Sequence, residues 1–155
     1  MDRFLGNQKL FDLPKTAFLS SRQIEPAAVM RCYDWAGEMR AAGRCVISGF
    51  HSPLEKDVLR FLLKGTQPVV LVLARELYRK VPAELAAPLA EGRLLIVAPE
   101  GVHGRRAGVD TALVRNRWIL AHAEDCVLGN IAPGGNLERA LQEFPQMRIT
   151  DLSKQ

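Results

Sequence analysis

The sequence predicts an α/β protein, a mostly parallel sheet with helices on both faces, and three observations carry that prediction. Short apolar runs alternate with helix-period segments along almost the whole chain. Several of those runs, Pro68–Leu73 and Leu94–Val97 above all, are apolar without interruption, as strands covered on both faces must be. The chain has 155 residues, 48% hydrophobic and 25% charged, which is enough to bury a core and sets disorder and fibrous structure aside. The expected organisation is one domain over residues 1–155, with its core at about 16–150.

Residues 1–14 read as a mixed lead-in ending at Pro14, and Thr16–Leu19 as a short strand closed by Ser20-Ser21-Arg22. Pro26 opens a helix, at a position where its missing N–H costs nothing. Val29, Cys32, Trp35, Ala36, Met39 and Ala42 give that helix one apolar stripe, and Gly43 stops it. Cys45–Ile47 is a buried strand. Ser52-Pro53-Leu54-Glu55 has the form of a capping box, and Leu54, Val58, Phe61 and Leu62 form the buried face of a helix that ends at Gly65. After Pro68–Leu73 a loop through Arg75 and Lys80 leads to a short helix at about Pro82–Glu91, where Pro88 threatens a break. Leu94–Val97 is a strand, Pro99–Gly108 a Gly- and Arg-rich loop, Thr111–Ala123 a helix and Cys126–Leu128 a strand. Ala132-Pro133-Gly134-Gly135 leads into a helix reaching about Glu143, and Met147–Thr150 is a last short strand.

In such sheets ligands bind outside the carboxyl ends of the strands, near the point where strand order reverses, so the residues that follow each strand carry the functional reading. Gly134 and Gly135, with Asn136 after them, would let backbone N–H groups approach an anion at a helix start. The same glycines would equally serve a tight turn that needs positive φ. Ser48 and Gly49 repeat the pattern with a hydroxyl donor. Ser20, Ser21 and Arg22 supply hydroxyls and a guanidinium, or simply a polar turn. Arg115, Asn116 and Arg117 fall inside a helix, about 100° apart from one to the next, so the two arginines cannot share a face with Trp118. They read as a solvated face or as site-facing cations. Phe50 would stack on a base or pack in the core, and His51 could touch a ligand from its strand-end loop. Arg105 and Arg106 read as surface charge or as a flexible phosphate contact. No catalytic residue stands out: Glu138, early in the last helix, is a weak general-base candidate and otherwise a surface carboxylate.

Other chemistries find no pattern. Cys32, Cys45 and Cys126 lack zinc or redox spacing, and His51, His103 and His122 lack ligand spacing. There is no Walker loop and no nucleophile elbow, and neither a metal nor a cofactor is expected. No apolar run approaches the ~20 residues of a membrane helix, and the start of the chain lacks a signal-peptide layout, so a cytoplasmic protein without membrane partners is expected. The net charge is +4, with fifteen arginines to six lysines. That balance leans toward anionic partners, since arginine grips phosphate with a planar fork.

Taken in order, Ser20-Ser21-Arg22, Ser48-Gly49, Arg115-Asn116-Arg117 and Gly134-Gly135 resemble the motifs of the DNA-processing protein A (DprA/Smf) family, more distantly related to LOG-type nucleotide-binding proteins. In the family these look like Gly-Ser-Arg, a Ser-Gly loop start, Arg-Asn-Arg on a helix, and Ser-Gly or Gly-Gly before the last helix. The stretch from Ser48 to Lys56 looks like a short stand-alone member, with Phe50-His51-Ser52-Pro53 where longer members continue into Gly-Ile-Asp. The resemblance implies a Rossmann-like three-layer fold. It implies binding of a nucleotide or single-stranded nucleic acid, with phosphate held at the carboxyl edge of the sheet, and a role in DNA processing. Resemblance and residue reading together give as expected contacts Ser20, Ser21, Arg22, Ser48, Gly49 and Phe50 from the first half, and Arg115, Asn116, Arg117, Gly134, Gly135 and Asn136 from the second. Two alternatives stand beside it. One is a LOG-like hydrolase of the glycosidic bond of a nucleoside monophosphate, with Glu138 as acid/base, although Pro133-Gly134-Gly135 matches only the start of the LOG run. The other is a nucleotide-sensing or interaction module. Related folds often pair through sheet edges or helices, which leaves a homodimer as an open expectation.

Overall fold

The computed structural model describes residues 1–21 and 25–154. Among the described residues, seven strands form one sheet. They are β1 (Arg3–Gly6), β2 (Lys15–Leu19), β3 (Cys45–Ser48), β4 (Val69–Val72), β5 (Leu94–Ala98), β6 (Asp125–Leu128) and β7 (Ile149–Asp151), in the order β1-β5-β4-β3-β2-β6-β7. Every pair from β5 to β7 is parallel, and only β1 runs antiparallel, against β5. Among the described residues, five α-helices connect them: α1 (Pro26–Ala42), α2 (Pro53–Leu63), α3 (Ala83–Ala90), α4 (Val109–Ala121) and α5 (Asn136–Gln142). The α/β class and the mostly parallel sheet are therefore as the apolar runs predict.

Every residue of β2, β3, β4 and β5 is buried, because helices cover both faces. One core lies under α1, α2 and α3 and is built on Phe18, Val46, Val69 and Ile96. The other lies under α4 and α5, around Ala17, Ile47, Val70 and Leu95. Alternate residues of each strand feed opposite cores, which is the period-two geometry of a pleated strand. From β2 the chain steps outward through β3 and β4 to β5, then α4 carries it back to β6 on the other side of β2. Strand order reverses between β2 and β6, so the crevice of this fold opens at their carboxyl ends.

The predicted boundaries are met closely where a physical stop exists. Pro26 starts α1, and Gly43 ends it in the left-handed region at φ 69. At α2 the Ser52 hydroxyl accepts from the Glu55 N–H, and the Glu55 carboxylate accepts from the Ser52 N–H, completing the capping box. Four expectations need correction. Pro88 does not break α3: it sits buried inside an eight-residue helix, where the loss of one backbone bond is offset by packing. α4 begins at Val109, two residues before the predicted start, and β7 is shifted toward Asp151. Residues 1–14 are more than a lead-in. β1 pairs Arg3 with Ala98 through Gly6 with Leu95, and a 3₁₀ turn (Gln8–Asp12) follows, its start capped by the Asn7 side chain.

Candidate functional site

The crevice is assembled where β2 and β6 end. The Gly129 N–H donates to the Leu19 carbonyl at 2.9 Å, and the Ser21 N–H donates to the Asn130 carbonyl at 2.6 Å, so the two strand ends are laced together. Gly129 is required for that approach: a Cβ there would stand 2.7 Å from Ser20 Oγ and 3.0 Å from Leu54 Cδ2. Glu55, on the first turn of α2 and only 5% exposed, reaches into the same place. Its carboxylate accepts from the backbone N–H groups of Ser20 (3.1 Å), His51 (2.9 Å) and Ser52 (3.1 Å). The backbone donors that would cradle an external anion at this helix start are thus filled by an internal carboxylate.

α4 brings the complementary charge. Arg115 and Asn116 are buried, and Arg115 Nε donates to Asn116 Oδ1 at 2.8 Å. Among the described residues no carboxylate lies within ion-pair distance of Arg115. Burial pushes its pKa below the ordinary arginine value, and the nearby Glu55 charge opposes that shift. A guanidinium keeps its proton at neutral pH even so, which leaves a buried cation short of partners. Arg117 turns the other way and pairs with Glu143, just past the end of α5, at 2.8 Å. The angular divergence expected of the two arginines is what the helix delivers.

Two cavities meet at Arg115. The smaller, about 250 Å³, lies at the strand reversal and is lined by Ser20, Ser21, Asn116, Gly135 and Asn136 among others. The larger, about 520 Å³, runs along the ends of β3 and β4 between Gly49, Phe50 and Tyr78. It carries Lys56, Arg60, Arg75, Arg105, Arg106 and Arg115 against a lining carboxylate of Glu84. Arg60 is paired with Asp57, and the Arg75 guanidinium lies over the Tyr78 ring at 4.8 Å. His51 and Arg115 border both cavities.

Residues distant in the chain therefore converge on one rim, but several take roles other than those predicted. Ser48 is fully buried, and its hydroxyl accepts from the Phe50 N–H, so it shapes the turn and offers nothing to a ligand. The space beside Gly49 is filled by the Arg115 side chain, where an approaching phosphate was expected. Phe50 is a core ring, 4% exposed, held at φ 44, a conformation that bulky side chains avoid. Arg117 and Ser48 line neither cavity. Gly134 has φ 75 and donates to the Glu138 carboxylate, and the Gly135 N–H donates to the Ala132 carbonyl. The glycine pair thus serves its own loop, and Glu138 closes that loop without lining the cavity. Arg22 lies outside the described residues. The groove cations Lys56 and Arg75 give no signal as site residues because each stands alone in sequence, whereas Arg106 is where one of its two readings, a flexible phosphate contact, would place it. Among the described residues no group of three potential metal ligands occurs, and no helix is long and apolar enough to cross a membrane.

Fold and rim together define a class, the Rossmann-like α/β proteins whose ligand crevice opens at the carboxyl ends of parallel strands. Within it, the solved structures that match include two DNA processing proteins and a molybdenum cofactor binding protein. DNA processing protein A from Helicobacter pylori superposes with a TM-score of 0.74 at 18% identity, covering 97% of this chain and 70% of that one. DNA processing protein A from Streptococcus pneumoniae gives 0.74 at 15% identity over 97% of this chain, which spans about half (54%) of the S. pneumoniae protein. The molybdenum cofactor binding protein of Rippkaea orientalis follows at 0.61 and 14% identity, covering 89% and 75%. The fold is thus that of DNA processing protein A, and it supports the resemblance to that family drawn from the motifs. No protein-family model and no curated protein sequence matches the chain.

Proposed function

We propose that this protein binds single-stranded nucleic acid through its phosphates at the carboxyl rim of the sheet, with Arg115 as the central anchor and the groove cations as the track beyond it. One observation carries the reading: Arg115 is nine-tenths buried, has no carboxylate of the described residues within ion-pair range and borders both cavities. Desolvating a guanidinium without pairing it is costly, and an incoming phosphate relieves that cost through charge-assisted, forked hydrogen bonds. The exposed groove cations suit a polyanion. Supporting this, the H. pylori protein of the same fold is described as binding single-stranded DNA. Side-chain cations do the holding here, in place of the glycine-loop N–H groups expected from the sequence. The hydrolase alternative finds no favouring geometry, since the Glu138 carboxylate is taken up by the Gly134 N–H.

Fluorescence anisotropy with a labelled oligothymidylate tests the proposal. Affinity should fall steeply with salt, by about 0.7 log units per log unit of salt for each phosphate engaged. Arg115→Ala should weaken binding and lower that slope by about 0.7, one phosphate's share. A salt-independent affinity, or a variant indistinguishable from the parent, would defeat the reading.

A further inference from the structure

We infer that Gly49 and Arg115 form one device that makes the rim a two-phosphate site. The Arg115 guanidinium is the partition between the cavities and meets a phosphate on each side, so the smallest ligand held tightly carries two phosphate groups one nucleoside apart. This deepens the proposed function and rests on it.

The orientation of the side chain supports the partition. Its Nε edge faces Asn116, which lines the smaller cavity and not the larger. Its Nη1 edge lies against Gly49, which lines the larger cavity and not the smaller. With the Nε–H given to Asn116 Oδ1, the four remaining N–H donors of the planar fork can still serve acceptors on two edges at once, whereas an ammonium is a single point of charge. The volumes fit the division. At about 520 Å³ the larger cavity lies within the range that holds a nucleoside-sized ligand. At about 250 Å³ the smaller falls below that range and suits a phosphate with little else.

Gly49 holds this arrangement in place. A Cβ built there would collide with Nη1 and stand 2.7 Å from Cζ of Arg115. Any side chain at 49 must therefore push the guanidinium out of the partition. The group displaced is the mobile end of a long side chain, so the backbone need not move and the fold survives. Gly49 is thus a positioning residue that acts through Arg115. Gly49→Ala should remove the partition while changing no charge, which separates this effect from the general electrostatics of a basic rim.

Competition against labelled oligothymidylate, with the whole chain at constant low salt, tests the inference using two ligands. One is the thymidine dinucleotide TpT, with a single phosphate, and the other its 5′-phosphorylated form pTpT, with two. The parent protein should prefer pTpT by about tenfold or more, the scale of one added charge-assisted contact. Gly49→Ala and Arg115→Lys should each shrink that preference to below about threefold, with circular dichroism and thermal midpoints verifying their fold. A parent preference below threefold overturns the inference, and so does a tenfold preference that survives in either variant. If Gly49→Ala fails to fold, Arg115→Lys carries the same readout, because it keeps the charge and loses only the fork. Failure of the oligothymidylate itself to bind would sink the proposed function. Salt-sensitive binding of the oligonucleotide without a pTpT preference would sink the two-phosphate inference alone.

Discussion

At the scale of single residues, Glu55 shows why the crevice is charged as it is. In folds of this kind a helix start beneath a strand end attracts an external anion. Here the chain supplies its own: the Glu55 carboxylate sits on α2 and takes the N–H groups of Ser20, His51 and Ser52. One side chain thereby fixes the end of β2, the β3–α2 turn and the α2 cap at once. Removing it leaves buried donors without acceptors, each costing about 1–3 kcal/mol where water cannot reach. Glu55→Ala should therefore destabilise the protein by about 3 kcal/mol in urea unfolding, against about 1 kcal/mol for Ser52→Ala, which loses the cap hydroxyl alone. Equal losses for the two variants would mean that Glu55 acts only as a helix cap and does not tie the strand end.

At the scale of elements, the strand that the sequence hid is the most instructive. β1 has four residues, Arg-Phe-Leu-Gly, with no alternation long enough to read, and it exists because β5 would otherwise present an open edge. Its fastening is tertiary. Asp2 accepts from Trp118 Nε1 at 3.0 Å and from the Glu100 N–H at 2.7 Å, and Asn7 Nδ2 donates to the Gly92 carbonyl at 2.7 Å. Gly6, at φ 104, has no room for a Cβ, which would strike the Leu94 carbonyl. That obstacle is backbone and cannot swing aside, unlike the arginine beside Gly49. Gly6→Ala should therefore release β1 and speed amide exchange across residues 3–13 by about a hundredfold or more, a local loss near 3 kcal/mol, with exchange in β3 and β4 unchanged. Unaltered exchange in β1 would show that the edge strand is held by Asp2 and Asn7 alone. The same contrast explains what was legible in the sequence. The central strands announce themselves because burial on both faces demands unbroken apolar runs, and α1 and α2 because Pro26, Gly43 and the Ser52–Glu55 box mark their ends. The nearness of Ser20, Gly49 and Asn136 follows from their places after strands, since α/β topology brings strand ends together, whereas Arg115, inside α4, reads from the sequence equally as a solvated or a site-facing cation. Their individual roles were not legible, because an arginine of α4 entering the space beside Gly49, or a carboxylate of α2 filling the β2 end, is decided by packing between elements remote in sequence.

At the scale of the whole molecule, the two cores bury groups whose protonation couples to folding. Cys32, Cys45 and Cys126 are buried at 0%, 3% and 1% exposure, on both faces of the sheet. Burial pushes the Cys32 and Cys45 thiols up to about 11 and Cys126 up to about 12, against 9.0 unfolded. A group whose folded pKa is raised holds its proton more tightly in the native state. Its contribution is complete below the unfolded value and is lost as pH climbs through the folded one. The three thiols should thus leave stability untouched up to about pH 8 and erode it between 9 and 12, by about 2 kcal/mol each at pH 11. Tyr33 and Tyr78, raised chiefly by the Asp57 hydrogen bond and by burial respectively, add to the same alkaline loss above pH 10. Lys15 works in the opposite direction. Buried at the start of β2, with its ammonium donating to the Phe11 and Leu13 carbonyls, it has a pKa lowered by desolvation and so gains stability as pH rises toward 10.5. Three thiols outweigh one amine, and the balance is measurable. In reducing buffer, urea midpoints of the parent should fall steeply from pH 9 to 11. A Cys45→Ala, Cys126→Ala double variant, though less stable at pH 8 by the cavities it opens, should lose roughly half of that decline. An alkaline slope equal to the parent's would mean that the thiols ionise only after the cores have opened by another route.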